Sequence, residues 1–422
     1  MHDEEDEAQE TVWDVIVVGA GPGGATAAWK AAEGGLRVLL LERAPSLPRY
    51  KPCGGGIPSS VSRHVSGLDP FEFSDLTITH LRHSWKGKDP ILAPMTTRDG
   101  SPAVIWMVQR PRFDRYLVRR AEQAGARLLT GVKVGGVRVD AADDSVTVSG
   151  TTPNGAAIWR ARHVVGADGA RGVVGASVGL RLGKRFGIAR EVEIPFEGGA
   201  DNGRWHPRLA PNAAYLDYGT VPHGYAWIFP KQGCLSVGAG LLLPPRDAGD
   251  PSVNRGNGEL LRRAMDNLLV SVGLPPLPPD GTPGAARIWA HPIPYWTGAE
   301  PLQTPGRRGH ILLVGDAAGV VQPMFGEGIQ YALRTGDLAA RCILDGTAPA
   351  YTDRVRDQFA SEFDAAARVG RAFHRAPFLS YHWGVKNPRG THLVGRLVAG
   401  EASLADLEQR VYKRLRFRHP SR

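Results

Sequence analysis

A strand that runs straight into a glycine turn constrains this chain more than any other feature. Residues 13–24 read Trp-Asp-Val-Ile-Val-Val-Gly-Ala-Gly-Pro-Gly-Gly, which places Gly19, Gly21 and Gly24 in Gly-x-Gly-x-x-Gly spacing ahead of an alanine-rich helix pattern. Glycines there keep the turn tight and let a pyrophosphate approach backbone N–H groups at the helix N-terminus. A second apolar strand, 38–41, ends in Glu42, 18 residues past Gly24 and about where a carboxylate meets a ribose hydroxyl. Strand, glycines, helix, strand and acid in register specify a dinucleotide-binding unit.

A chain of 422 residues with 42 % apolar content can bury a large core in two or three lobes. No run of 18 apolar residues occurs, so no membrane-crossing helix is expected. The first 11 residues are acidic rather than basic and apolar, which reads as a disordered lead-in and not a secretory signal. Cys53, Cys234 and Cys342 are too scattered for a disulfide framework and suit a reducing, cytoplasmic setting. No metal-ligand set is expected. The formal net charge is +9, and after Glu408 the tail carries basic residues among Val411, Tyr412, Leu415 and Phe417 with no acid. Peripheral contact with an anionic membrane is one reading, a solvated helix end another. Nucleic acid is not expected as a partner.

Three separated segments, 12–60, 108–184 and 301–346, read as one discontinuous nucleotide-binding domain. The second holds a helix from about Gln109 to Gly125, a strand at 127–129 and a valine-rich hairpin over 132–148, whose opening at Lys133 is assigned to the cofactor. The third holds a buried strand from His310 into Gly315-Asp316 and a helix from Gly328 to Asp345 capped by Gly346. Residues 61–107 and 185–300 are rich in strand formers, Trp and Pro. Alternation over 188–194 and 213–218 predicts an antiparallel sheet with one wet face, built as a substrate lobe. Residues 347–422 read as a helical C-terminal region. The expected class is α/β with α+β inserts: a Rossmann-like lobe, an antiparallel substrate sheet and terminal helices.

The distant Gly315-Asp316 segment argues for FAD. A nicotinamide-only enzyme has no use for it, whereas an extended flavin needs a second anchor. Asp316 suits the ribityl hydroxyls, and the helix opening at Gly326-Glu327-Gly328-Ile329 aims its N-terminus at the flavin pyrimidine edge, favouring the reduced state. Arg110, just ahead of its helix, is expected at the pyrophosphate. No second Gly-x-Gly-x-x-Gly unit follows, so NADPH or another reductant is expected only as a transient donor.

Gly166-Ala167-Asp168-Gly169, Arg43 after Glu42, and Val-Gly-Asp-Ala-Ala at 314–318 resemble the aromatic-hydroxylase-like flavoproteins, which implies that Arg43, Asp168, Gly315 and Asp316 hold the cofactor. Three further stretches narrow the likeness: Lys51-Pro52-Cys53-Gly54, Tyr225-Ala-Trp227-Ile-Phe229-Pro230 and Pro323-Met-Phe-Gly326-Glu327-Gly328-Ile329. Together they resemble the geranylgeranyl reductase family. That resemblance implies an FAD-bound hydride saturating isoprenoid double bonds in lipids, quinone tails or chlorophyll side chains.

An isolated alkene accepts hydride only as it is protonated, and positive charge then develops on a tertiary carbon. Alternation puts the rings of Tyr225, Trp227 and Phe229 on one strand face, a wall that reads equally as core between sheet and FAD lobe and as a surface to pack an isoprenoid chain and stabilise that charge by about 0.5–2 kcal/mol. Pro230 completes the expected substrate contacts. Cys53 is a candidate to donate a proton, gate the substrate or respond to redox state, with an inert buried thiol as the alternative. Glu327 is a candidate acid, with capping or flavin contact as the alternative. Cys53 and Gly54 are also expected to touch the cofactor. Cys234 and Cys342 read as core. The alternative on the same scaffold is a flavin monooxygenase or halogenase. Halogenases carry Trp-x-Trp-x-Ile-Pro where this chain has Tyr-x-Trp-x-Phe-Pro. An electron-transfer protein with an iron–sulfur cluster would need four cysteines.

Overall fold

The computed structural model describes residues 11–409 except 141, 143, 181–182, 184, 197–208, 211, 243–250, 299 and 307–309, and except the side chains of 251–255. The acidic lead-in up to residue 10 and the basic tail from 410 therefore lie outside the described residues.

The glycine-turn strand Val12–Val18 sits between Val38–Leu41 and Gly155–Gly166, parallel to both. Arg127–Leu129 extends the sheet on one side, and Ile311–Leu313 pairs in parallel with Gly155–Gly166 on the other. Val38–Leu41 and Ile311–Leu313 are continuous apolar runs, buried throughout, because the parallel part of the sheet is covered on both faces. The hairpin Lys133–Asp140 and Ser145–Thr152 joins the same sheet antiparallel to Gly155–Gly166. Helices Pro22–Glu33, Arg110–Gln123 and Ile329–Leu344 pack beside it.

A second seven-stranded sheet runs Trp289–Tyr295, Arg185–Pro195, Cys234–Leu242, Gly224–Lys231, Ala213–Tyr218, His80–Trp85, Lys88–Pro94. It departs from expectation in two ways. Ala213–Tyr218 pairs in parallel with His80–Trp85, so the sheet is mixed. The centre of the sheet has no wet face: every residue of Ala213–Tyr218 is buried, whereas the edge strand Lys88–Pro94 is largely exposed. One face packs Ala226, Ile228 and Val237 against Leu261, Met265 and Leu268 of the helix Pro251–Ser271. The other turns Tyr225, Trp227 and Phe229 toward Tyr381 and Val385 of the C-terminal region. There the long helix Tyr351–Arg375 gives way to a short turn at Pro377–Leu379, a π-helical stretch Ser380–Val385 and the helix Pro388–Val398. A small sheet of Gly56–Pro58, Ile105–Met107 and Leu76–Ile78 bridges the two large ones. No described helix is long and apolar enough to cross a membrane.

Candidate active site

The glycine turn has the shape of a cradle. Gly19 sits at φ +102°, and a methyl group there would lie 2.4 Å from the Ala167 carbonyl oxygen; one on Gly24 would lie 1.9 Å from the Gly19 carbonyl oxygen. Gly21 faces open space instead, with only the Arg49 guanidinium 3.6 Å from where its Cβ would be. Gly21 also begins the helix Pro22–Glu33 without a side-chain cap, so its first N–H groups face that space. Glu42 is buried and ties the turn to the second strand, accepting from Ala20 N at 2.9 Å and Ala44 N at 2.8 Å.

A second uncapped helix start faces the same space. Gly328 precedes Ile329–Leu344 with no side-chain cap, and Gly326, Glu327, Gly328 and Ile329 all line the cavity. Asp316, on the turn Gly315–Ala318, is held by Lys51 Nζ at 3.1 Å and lies 3.8 Å from His291 Nε2. Burial opposes its charge, but Lys51 and His291 hold the carboxyl well below the usual carboxylate range. An open glycine turn, two uncapped helix N-termini and an ionised carboxylate between them match a pyrophosphate, a flavin edge and ribityl hydroxyls. The site fits FAD.

Beyond the cradle the cavity continues to a volume of about 830 Å³. Lys51–Gly56 forms one wall and the aromatic strand Gly224–Lys231 the other. The two walls touch: a methyl group on Gly54 would lie 2.9 Å from the Phe229 ring. Trp227 lies flat on the sheet over Gly238, where a Cβ would fall 2.2 Å from the indole. Tyr225 donates its hydroxyl hydrogen to the Phe325 carbonyl, joining wall to flavin turn. Past the aromatic rings the lining is mostly apolar, with Val369, Phe373, Leu393, Leu397 and Leu404 from the C-terminal helices.

Behind the cysteine loop lies a polar network that sequence reasoning missed. Lys231, fully buried, donates to the Cys53 carbonyl at 3.1 Å and to Glu193 Oε1 at 2.7 Å. Glu191, also buried, accepts from Ser236 Oγ at 3.0 Å and from the Cys53 backbone N–H. Burial pushes the Glu191 carboxyl up, against the pull of Lys231. Cys53 itself is half-buried on the cavity wall. Glu327 is different in kind. Burial, reinforced by Glu362, pushes its carboxyl up to about 8, while Gln330 Nε2 donates to Oε2 at 2.5 Å. Glu327 therefore carries its proton at neutral pH.

Several expected site residues have partners within the protein or lie off the cavity lining. Asp168 does not line the cavity; its Oδ2 accepts from Val174 N at 2.9 Å and so holds the turn after the strand. Arg110 lines the cavity, but its Nε and Nη2 are bound to Asp114 at 2.8 and 2.9 Å, and Arg49 is the guanidinium above the glycine turn. Arg43 and Lys133 are exposed and outside the cavity lining; beside Lys133, the buried Val132 donates its N–H to the Glu42 carbonyl at 2.9 Å. Pro230 is buried but does not line the cavity. Cys342 is core as expected, whereas Cys234 is half-buried at a strand start.

A model of the FAD binding domain family matches residues 12–200. The digeranylgeranylglycerophospholipid reductase 2 of Methanopyrus kandleri is 30 % identical over 385 residues, covering 86 % of each chain. The geranylgeranyl diphosphate reductase of Rhodobacter capsulatus is 31 % identical over 374 residues, covering 85 % of this chain and 83 % of that one. The chain belongs to the geranylgeranyl reductase family. It is an FAD-dependent oxidoreductase of a family that reduces isoprenoid chains. The fold agrees: a geranylgeranyl bacteriochlorophyll reductase-like protein from Thermoplasma acidophilum superposes with a TM-score of 0.68 at 23 % identity, over 86 % of this chain and 88 % of that one. Within this geranylgeranyl reductase-type scaffold, the three stretches at 51–56, 224–230 and 323–329 all meet at the one cavity.

Proposed function

We propose that the protein saturates C=C bonds of a polyprenyl chain, carried on a lipid, a quinone or a similar head, drawn along the cavity past the cysteine loop. The carrying observation is the continuity of that cavity: one space joins the flavin cradle at Gly21 and Gly328, the rings of Tyr225, Trp227 and Phe229, and an apolar end lined by Val369, Leu393 and Leu397. When bound and reduced, FAD supplies the hydride that the alkene accepts; NADPH or another reductant restores it.

The chain's own residues supply the rest. Glu327 keeps a proton on Oε1, since Oε2 already accepts from Gln330, and delivers it to the alkene carbon opposite the one that receives hydride. The indole face of Trp227 and the rings beside it stabilise the charge that builds on the tertiary carbon. Cys53 closes the wall facing the aromatic strand, and Lys231 and Glu191 clamp its carbonyl and N–H so that water is kept from the reacting carbons.

The test is anaerobic incubation of dithionite-reduced holoprotein with polyprenyl glycerolipid, quinone and diphosphate substrates, followed by mass spectrometry. A gain of two mass units per double bond is expected in at least one class. No gain in any class, or product formed only in air and carrying oxygen, overturns the reading in favour of a monooxygenase.

A further inference from the structure

The helix Tyr351–Arg375 ends at Ala376-Pro377, and the chain then folds into a knuckle made of Pro377–Leu379 and the π-helical stretch Ser380–Val385. Proline explains the break, since it cannot continue the hydrogen-bond ladder of the helix before it. The knuckle has two unlike sides. Tyr381 and Val385 point inward, and Ser380, Gly384 and Val385 line the cavity. Phe378, Leu379 and Trp383 point outward and are 55 %, 55 % and 79 % exposed. The support is stiff: a methyl group on Gly390 would lie 1.6 Å from the Gly384 carbonyl oxygen, so the knuckle rests directly on the next helix.

The charges around it are mostly basic. Between Asp364 and Glu401 there is no acidic residue, while Arg368, Arg371, Arg375, Lys386, Arg389 and Arg396 fall in that interval. Asp89, on the neighbouring hairpin, is engaged by Lys386 and His382, and Arg368 pairs with Glu408. Arg371, Arg375 and Arg389 are exposed. Lys86 and Lys88, beside Asp89, are exposed too and add to the basic rim.

We propose that this knuckle docks the protein onto an anionic lipid bilayer. Phe378, Leu379 and Trp383 enter the boundary between headgroups and acyl chains, and Arg371, Arg375 and Arg389 meet lipid phosphates. Exposed aromatic and aliphatic side chains rimmed by arginine suit that boundary, where apolar burial and attraction to anionic lipid add. The position supplies a reason for it. The same segment is the outer wall of the cavity that ends in apolar side chains, so docking brings that end to the source of long apolar chains. None of these residues belongs to the basic stretch after Glu408.

The experiment is co-sedimentation of the full-length holoprotein with sucrose-loaded vesicles, either phosphatidylcholine alone or with phosphatidylglycerol, and without any isoprenoid ligand. Its outcome is thus independent of the proposed reaction. Wild type is expected to partition about tenfold more strongly onto the anionic vesicles. A Phe378→Ser, Leu379→Ser, Trp383→Ser variant is expected to lose at least about tenfold on them. Arg371→Gln with Arg375→Gln, which leaves the knuckle intact, is expected to lose about fivefold per arginine at low salt. All variants keep the tail unchanged, so it cannot account for a difference. Absence of wild-type binding, or equal binding by wild type and both variants, overturns the proposal.

Discussion

Gly23 and Gly336 bring two helix backbones into contact: a methyl group on Gly336 would lie 2.2 Å from the Gly23 carbonyl oxygen. Gly336 sits mid-helix in Ile329–Leu344, where glycine costs up to about 1 kcal/mol relative to alanine. That cost is accepted because the crossing aims both uncapped N-termini, at Gly21 and Gly328, into one cavity. Gly336→Ala is therefore expected to lower stability by about 1–3 kcal/mol rather than raise it. It is also expected to reduce retained flavin. Thermal unfolding and the ratio of flavin to protein absorbance check both.

The raised Glu327 carboxyl makes a pH prediction. With a folded value of about 8 against 4.5 for the ordinary side chain, Glu327 carries its proton below pH 8 and loses it above. Single-turnover reoxidation of reduced holoenzyme by a polyprenyl substrate should be flat from pH 6 to 7.5 and fall above 8. Glu327→Gln should lower the rate at least tenfold and abolish that limb. An unaltered pH profile in the variant assigns the proton to another group. Stability follows the same sign. Between 4.5 and 8 the folded state binds the extra proton, so Glu327 stabilises the fold most below 4.5, and that contribution fades as pH rises to 8.

The parts of the site that were legible in the sequence are those whose geometry is local. The Gly19–Gly24 turn, the strand at 127–129 and the helix that begins at Ile329 are set by residues within a turn or two of each other. The aromatic wall was legible because strand alternation is also local. The network behind Cys53 was not. Glu191 looks like the polar position of a half-wet strand, and only the long-range register that sets Glu191 opposite Gly238 places it beside Ser236 and the cysteine loop. Asp168 shows a local motif with a local partner: its Oδ2 accepts from Val174 N six residues on and holds the turn after the strand.

Lys231 links the aromatic strand to the Cys53 carbonyl, and its removal tests that link. Lys231→Met leaves Glu191 and Glu193 without their cation. Breaking a buried pair costs about 3–5 kcal/mol, and the lower end applies because Glu193 keeps some contact with water. Freed from its clamp, the cysteine loop should expose Cys53, so thiol titration with an aromatic disulfide should be faster than in wild type. KM for the polyprenyl substrate should rise more than kcat falls. Unchanged Cys53 reactivity in a folded variant would show that the loop stands without Lys231.

Trp227 separates packing from charge stabilisation. It is almost buried, and its indole N–H reaches Ser236 Oγ at 3.4 Å, so Trp227→Ala should cost about 3–5 kcal/mol in stability through the void it leaves over Gly238. Trp227→Phe and Trp227→Leu leave smaller and comparable voids, and only the first retains a π face. If the ring stabilises developing charge, the Phe variant should stay within about threefold of wild type in kcat. The Leu variant should fall about tenfold or more, the equivalent of roughly 1.4 kcal/mol in the barrier. Both should unfold at similar temperatures. Equal rates for Phe and Leu would leave Trp227 as packing alone and remove the electrostatic role from the aromatic wall.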